Sequence, residues 1–130
     1  MPALLNFIVL IVRDVRASAT FYRDALGATV KSEVADKNYI ELSLGSISLA
    51  LITTDTLRDV TPSIPLCHPN PTSNHSTFIS FICDDLSTKL KQVITCRGTV
   101  QQEPRPVPWG GTLAFVQDPD GHLIELFQKG

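Results

Sequence analysis

Two copies of one pattern constrain this chain more than any single motif does. Asp14 precedes Val15, Ala19, Tyr22 and Leu26, apolar residues at helical spacing, and Gly27 follows them. Asp84 or Asp85 precedes Leu86, Leu90, Val93 and Ile94, again on one helical side, and Gly98 follows. An aspartate before an apolar stripe can cap a helix, and a glycine after it takes the left-handed conformation in which many helices end. Asp14 to Asp85 and Gly27 to Gly98 are each displacements of 71 residues. Ala28-Thr29-Val30 recurs, slightly out of step, as Gly98-Thr99-Val100. One supersecondary unit is therefore used twice. A unit of about fifty residues buries too little apolar surface to stand alone, so the copies must pack or pair their sheets.

Strand candidates complete the unit. Leu5–Val12 precedes the first helix, and Ala28–Glu33, Asn38–Leu44 and Ser46–Thr53 follow it. In the second copy Thr77–Cys83 precedes the helix, and Thr99–Glu103 and the two arms of Thr112–Gln128 follow. The expected fold is α+β, two tandem βαβββ units in a single domain over 1–130. Unit one covers about 4–54, a connector 55–76, and unit two about 77–128. Four of the nine prolines, Pro62, Pro65, Pro69 and Pro71, fall in the connector, which argues against helix or central strand there. A connector of this length is often a functional cover.

Composition excludes several classes. A net charge of −2 leaves no basic footprint for nucleic acid. Cys67, Cys83 and Cys96 form an odd set with no C-x-x-C, which fits a reducing compartment better than a disulfide framework. The apolar run Ala3–Val12 is too short to span a membrane and lacks a basic leader, so the expectation is a cytoplasmic protein with no membrane partner. There is no Gly-rich phosphate loop and no Gly-x-Ser-x-Gly elbow.

The last hairpin holds the one chemical anomaly. Asp118-Pro119-Asp120-Gly121 suits a type I turn between two apolar arms. Glu125 shares a strand face with Leu123 and Phe127, since side chains alternate with period two. A carboxylate on such a face needs a partner, a ligand or a proton. His122, three positions away, points to the opposite face and reads as a turn-exit residue.

Val12-Arg13-Asp14 with Ser18, Phe21-Tyr22, Leu26-Gly27, Pro108-Trp109-Gly110 and Asp118–Leu126, set in a doubled βαβββ unit, resemble the vicinal oxygen chelate superfamily. That superfamily includes glyoxalase I, extradiol dioxygenases, fosfomycin resistance proteins and bleomycin-binding proteins. The resemblance implies curled mixed sheets around a cup-shaped site, and a homodimer. It also implies a divalent metal held by His, Gln or Glu near the start of each unit's first strand and within its last strand. Counting back from the capping acids puts the first pair at Phe7 and Phe78. Aligning Gly45 with Gly121 puts the second pair at Leu49 and Glu125. Only Glu125 can ligate, and one carboxylate does not hold a catalytic divalent ion.

The resemblance is thus closest to the metal-free, bleomycin-binding branch, with no catalytic residue, metal or other cofactor assigned. The expected site is an apolar cleft of Phe7, Leu49, Phe78 and Trp109, with Glu125 and Tyr39 as polar groups and Arg105 as a further one. Its ligand would be a small hydrophobic or cationic organic molecule, an antibiotic or a metabolite, stacked on Trp109 and drawn to Glu125. The alternatives are a metal-dependent lyase, isomerase or dioxygenase with shifted ligands such as His75 and Glu125, or a cup filled by its own side chains with Glu125 bonded to a hydroxyl such as Ser80.

Overall fold

The computed structural model describes residues 1–34, 36, 38–72 and 74–130; Ala35, Lys37 and Ser73 lie outside it. Unit one runs β1 (Ile8–Ile11), α1 (Val15–Leu26), β2 (Thr29–Val34), β3 (Tyr39–Leu44) and β4 (Ile47–Ile52). After α2 (Thr54–Arg58), unit two runs β5 (Ile79–Ile82), α3 (Leu86–Thr95), β6 (Thr99–Pro106), β7 (Thr112–Gln117) and β8 (Leu123–Gln128). The sheets have matching orders, β1-β4-β3-β2 and β5-β8-β7-β6. β1 is parallel to β4 and β5 to β8, and the other pairs are antiparallel. The α+β fold of two βαβββ units is what the repeat demanded.

Local chemistry explains the helices. The Asp14 carboxylate accepts from the backbone N–H of Arg16 and Ala17, and Gly27 at φ 78° closes α1. Asp85, rather than Asp84, caps α3 by accepting from Thr88 N–H at 3.1 Å. The end of α3 departs from expectation. The left-handed residue is Arg97, at φ 76°, and Gly98 is not in that region. Gly98 meets a demand for space: a Cβ there would sit 2.4 Å from Val93 Cγ1 and 3.0 Å from the Phe21 ring.

Both helices cover the same core. Ile40, Leu42, Leu49 and Leu51 of sheet one and Ala114, Val116, Ile124 and Leu126 of sheet two join Val15, Phe21, Tyr22, Leu90 and Val93 in one buried cluster. Among the described residues the opposite face of each sheet carries no helix; this is its open face. β1 and β5, each an edge strand, face one another across a crevice of about 300 Å³ lined in part by Val9, Leu10, Thr77 and Phe78.

A latch joins the units where the last hairpin turns. The Gly121 N–H donates to Asp118 C=O at 3.0 Å, and Gly121 has φ 95°. Asp118 is 3% exposed and accepts from Tyr22 Oη at 2.7 Å and from the N–H of Asp120 and His122 at 2.9 Å. Asp120 accepts from Arg13 N–H at 2.9 Å and Nε at 3.0 Å. His122 Nε2 lies 2.8 Å from Ile11 C=O. Burial, then the neighbouring Asp118, holds the Tyr22 hydroxyl pKa well above the ordinary range, and burial also raises that of Asp118.

Three boundaries differ from expectation, each for a physical reason. The apolar run at the start overstates β1: Leu4 and Leu5 are 82% and 78% exposed, because only Ile8–Ile11 have β4 partners. The connector begins with a helix, α2, since its first proline comes only at Pro62. β6 continues through Pro104 and Pro106, tolerated because β6 is an edge strand with register shifts against β7. Among the described residues no helix is long and apolar enough to cross a membrane.

Candidate functional site

Strand register decides which side chains share the open face. In unit two Ser80 pairs with Glu125, and Glu125 with Phe115. Alternation then adds Ile82 on β5 and Phe78 just before it, Leu123 and Phe127 on β8, and Leu113 and Gln117 on β7. This half is mostly hydrocarbon around one carboxylate, with Gln117 at one end and Gln102 and Arg105 along its outer strand. Phe78 meets Phe115 edge-on, with centroids 5.3 Å apart and an interplanar angle of 87°. Beside them lies a cleft of about 330 Å³ lined by His75, Ser76, Thr77, Phe78, Phe115 and Leu123. Phe78 is 50% exposed and Ile82 62%, so the face is open rather than filled.

Glu125 is not stranded there. Ser80 Oγ donates to its Oε1 at 2.5 Å, the hydroxyl pairing that one of the alternatives expects. Trp109 stands 76% exposed on the β6–β7 turn and does not pack under its proline loop. That turn borders the apolar face: a Cβ on Gly111 would come within 2.7 Å of the Phe127 ring. Arg105 lies on the exposed β6 edge, opposite Leu113.

Unit one has a polar open face. Val9 pairs with Ala50, Ala50 with Glu41, and Glu41 with Ser32. Glu41 accepts from Tyr39 Oη at 2.7 Å and from Ser32 Oγ at 3.0 Å. Lys31 Nζ donates to Ser48 Oγ at 3.3 Å and lies 5.8 Å from the centre of the Phe7 ring. The Tyr39 hydroxyl is pushed up to about 12, by burial first and by the Glu41 carboxylate second.

Leu49 is a correction. It is 1% exposed within the helix-covered core and cannot line the open face. The glycine alignment failed because the hairpins differ in length. Leu44 pairs with Ile47 across two residues, whereas Gln117 pairs with Leu123 across five. A slip of one residue exchanges the faces of a strand. By pairing, Ile8 with Leu49 matches Ile79 with Ile124, so the unit-one counterpart of Glu125 is Ala50.

Glu41, Lys31, Ser32 and Ser48 were missed. Glu41 was within reach, since Tyr39-Ile40-Glu41-Leu42-Ser43-Leu44 alternates polar and apolar as plainly as the last strand does. Lys31 was not, because it falls in the register shift between Val30 and Ser32. His122 joins the latch, whereas His75 lines the cleft, with its Nε2 3.0 Å from Gln117 Nε2, whose amide also donates to Pro71 C=O.

The corrected family positions do not fit a divalent ion. Phe7, Ala50 and Phe78 offer no donor atom and Glu125 offers one carboxylate, where such ions need several ligands. Among the described residues no three His, Cys, Asp or Glu side chains gather where they could hold one.

Paired βαβββ units with their helices on one side and an open face on the other define a class of proteins built around a two-unit cup. A family model described as the Glyoxalase/Bleomycin resistance protein/Dioxygenase superfamily matches residues 4–126, and the chain belongs to that superfamily. It is 30% identical over 122 residues to a putative lactoylglutathione lyase of Brassica oleracea var. gemmifera, covering 92% of this chain and 42% of that protein. The chain spans less than half the length of the first curated relatives that it matches. A glyoxalase-related enzyme from Fulvimarina pelagi superposes with a TM-score of 0.83 at 19% identity, over 97% of this chain and 88% of that one. The fosfomycin resistance protein FosX from Mesorhizobium loti gives 0.72 at 18%, over 100% and 95%. At these identities the structural likeness shows the fold.

Proposed function

We propose that this protein binds a small organic molecule, flat or partly cationic, without a divalent metal, and that it sequesters an antibiotic or a metabolite. The observation that carries this reading is the donor set: hydrocarbon at Phe7, Ala50 and Phe78, beside a carboxylate already bonded to Ser80. The apolar part of the guest lies against Phe78, Phe115 and Leu123; Trp109, exposed on the β6–β7 turn near Phe127 at the far end of β8, offers a second stacking surface to a longer guest. Glu125 attracts its positive charge. A second copy of the chain, as a homodimer, closes the face over Val9, Phe78 and Ile82, which are 49%, 50% and 62% exposed here. The compartment proposed is the cytoplasm.

Two measurements test the reading. Purified protein dialysed against buffer should hold no stoichiometric zinc, iron, manganese or nickel; a retained equivalent of any of them overturns it. Planar aromatic cations should raise the melting temperature, since a ligand of the folded state alone must stabilise it. Phe78→Ala should weaken that binding by about tenfold or more, the value of burying a large side chain.

A further inference from the structure

The open face of unit one carries two opposite charges that do not neutralise each other. Lys31 is bonded to Ser48, and Glu41 to Tyr39 and Ser32. Among the described residues neither takes part in an ion pair. Ser48 pairs with Ser43, and Ala50 with Glu41, so Ser48 and Glu41 are diagonal neighbours on adjacent strands. Diagonal positions of an antiparallel pair lie about 7–8 Å apart. The two charges thus share one face, and among the described residues no Lys31–Glu41 ion pair forms.

The hydrogen bonding shows what each end can still accept. Lys31 Nζ spends one N–H on Ser48 Oγ, and the Ser48 hydroxyl, an acceptor in that bond, keeps its own proton. An ammonium and a hydroxyl therefore converge on one place, and both can donate to an oxyanion. At the other end, Glu41 Oε1 and Oε2 each accept one hydroxyl and each retains acceptor capacity. Two hydroxyl donors hold the carboxylate in place, which suits it to a ligand ammonium. Ala50 is the small residue beside Glu41 in the ladder, and the Phe7 ring lies under Lys31. The floor between the charged ends is thus shallow and apolar.

We infer that unit one binds the charged end of a zwitterionic molecule, its acid group on Lys31 and Ser48 and its basic nitrogen on Glu41. The inference rests on the reading that the open face takes a small organic ligand, and it adds a requirement for both charges at a set spacing. A guest with only one charge leaves one pole unsatisfied. A guest whose charges are adjacent spans less than the residue spacing of about 7–8 Å.

The probe is 6-aminohexanoate, with hexanoate, hexylamine and glycine as controls, titrated into the full-length protein and followed by amide chemical shifts. The expected result is binding of 6-aminohexanoate at least about fivefold tighter than any control, with shifts at Lys31, Glu41 and Ser48. Lys31→Met and Glu41→Gln should each abolish that preference while the melting temperature stays within a degree or two of the parent. Hexanoate or hexylamine binding as well as the zwitterion overturns the inference. A preference that survives both substitutions, or no response to the zwitterion at all, also overturns it. The Phe78→Ala loss of aromatic-cation binding reads the apolar half separately: if it persists while 6-aminohexanoate fails, only the zwitterion inference falls.

Discussion

Unit one and unit two share a skeleton and differ on the face that the skeleton presents. Their sheet orders match strand for strand, and hydrocarbon dominates the helix-facing side of both, because both feed one core. Nothing ties the open faces together in that way. Unit two sets Phe78, Phe115 and Phe127 around Glu125, whereas unit one sets Tyr39, Ser32, Lys31 and Ser48 around Glu41. The carboxylates also stand on different strands, Glu125 on the last and Glu41 on the one before it. A repeat thus constrains the side that packs and leaves the other side free to specialise, here into an apolar half and a charged half.

The largest effect expected comes from testing the register that defines those faces. Leu49→Glu places an unpaired charge in the shared core, and should cost about 4 kcal/mol or more in chemical denaturation. Ser48→Glu, one residue earlier, places it on the part-exposed open face beside Lys31, where it should cost less than about 1 kcal/mol. Equal costs for the two substitutions would show that the faces of β4 are misassigned, and with them the counterpart of Glu125.

The second contrast lies at the hairpins. The turn of unit two is latched through Asp118 to Tyr22 and through Asp120 to Arg13. Asp118→Ala strands the buried Tyr22 hydroxyl and two backbone N–H groups, and should cost about 3 kcal/mol. Ser46→Ala, in the two-residue turn of unit one, should change stability by less than about 0.5 kcal/mol. Comparable losses at both turns would remove the asymmetry.

This contrast also explains what could be read from the chain alone. The residues that make the family resemblance visible are largely those of the latch and core: Arg13, Asp14, Tyr22, Gly27, Asp118, Asp120 and Gly121 cap, close or tie elements together. Local physics dictates such residues, so the fold and the repeat were legible. Glu125 was legible for a related reason, as a charge among apolar neighbours of fixed parity. The unit-one site depends on pairing between strands and on a turn length. Counting from Gly45 could not supply these, and the count slipped from Ala50 to Leu49. Lys31 required a register shift that no periodicity announces. Gly98 was recognised as a stop signal, but it answers to the closeness of Val93 and Phe21, a tertiary fact.

The smallest effect probes the charged half by itself. The chain has two tyrosines, Tyr22 and Tyr39, and both hold their protons above the ordinary value of 10.0. For Tyr39 the value is about 12, set first by burial and then by Glu41. An acid raised in the fold favours the folded state while protonated. Its contribution is complete below pH 10 and fades as the pH climbs through the folded value, because the unfolded chain then binds fewer protons. Phenolate absorbance of the native protein should therefore show no transition near pH 10, with Tyr39 ionising near 12 and Tyr22 also well above its ordinary range. Glu41→Gln removes the carboxylate charge and leaves the burial, so the Tyr39 midpoint should fall partway and not reach the ordinary value. A midpoint unmoved by Glu41→Gln would mean that the carboxylate does not face the phenol in solution. Unit one would then lack the fixed anion that sets it apart from unit two.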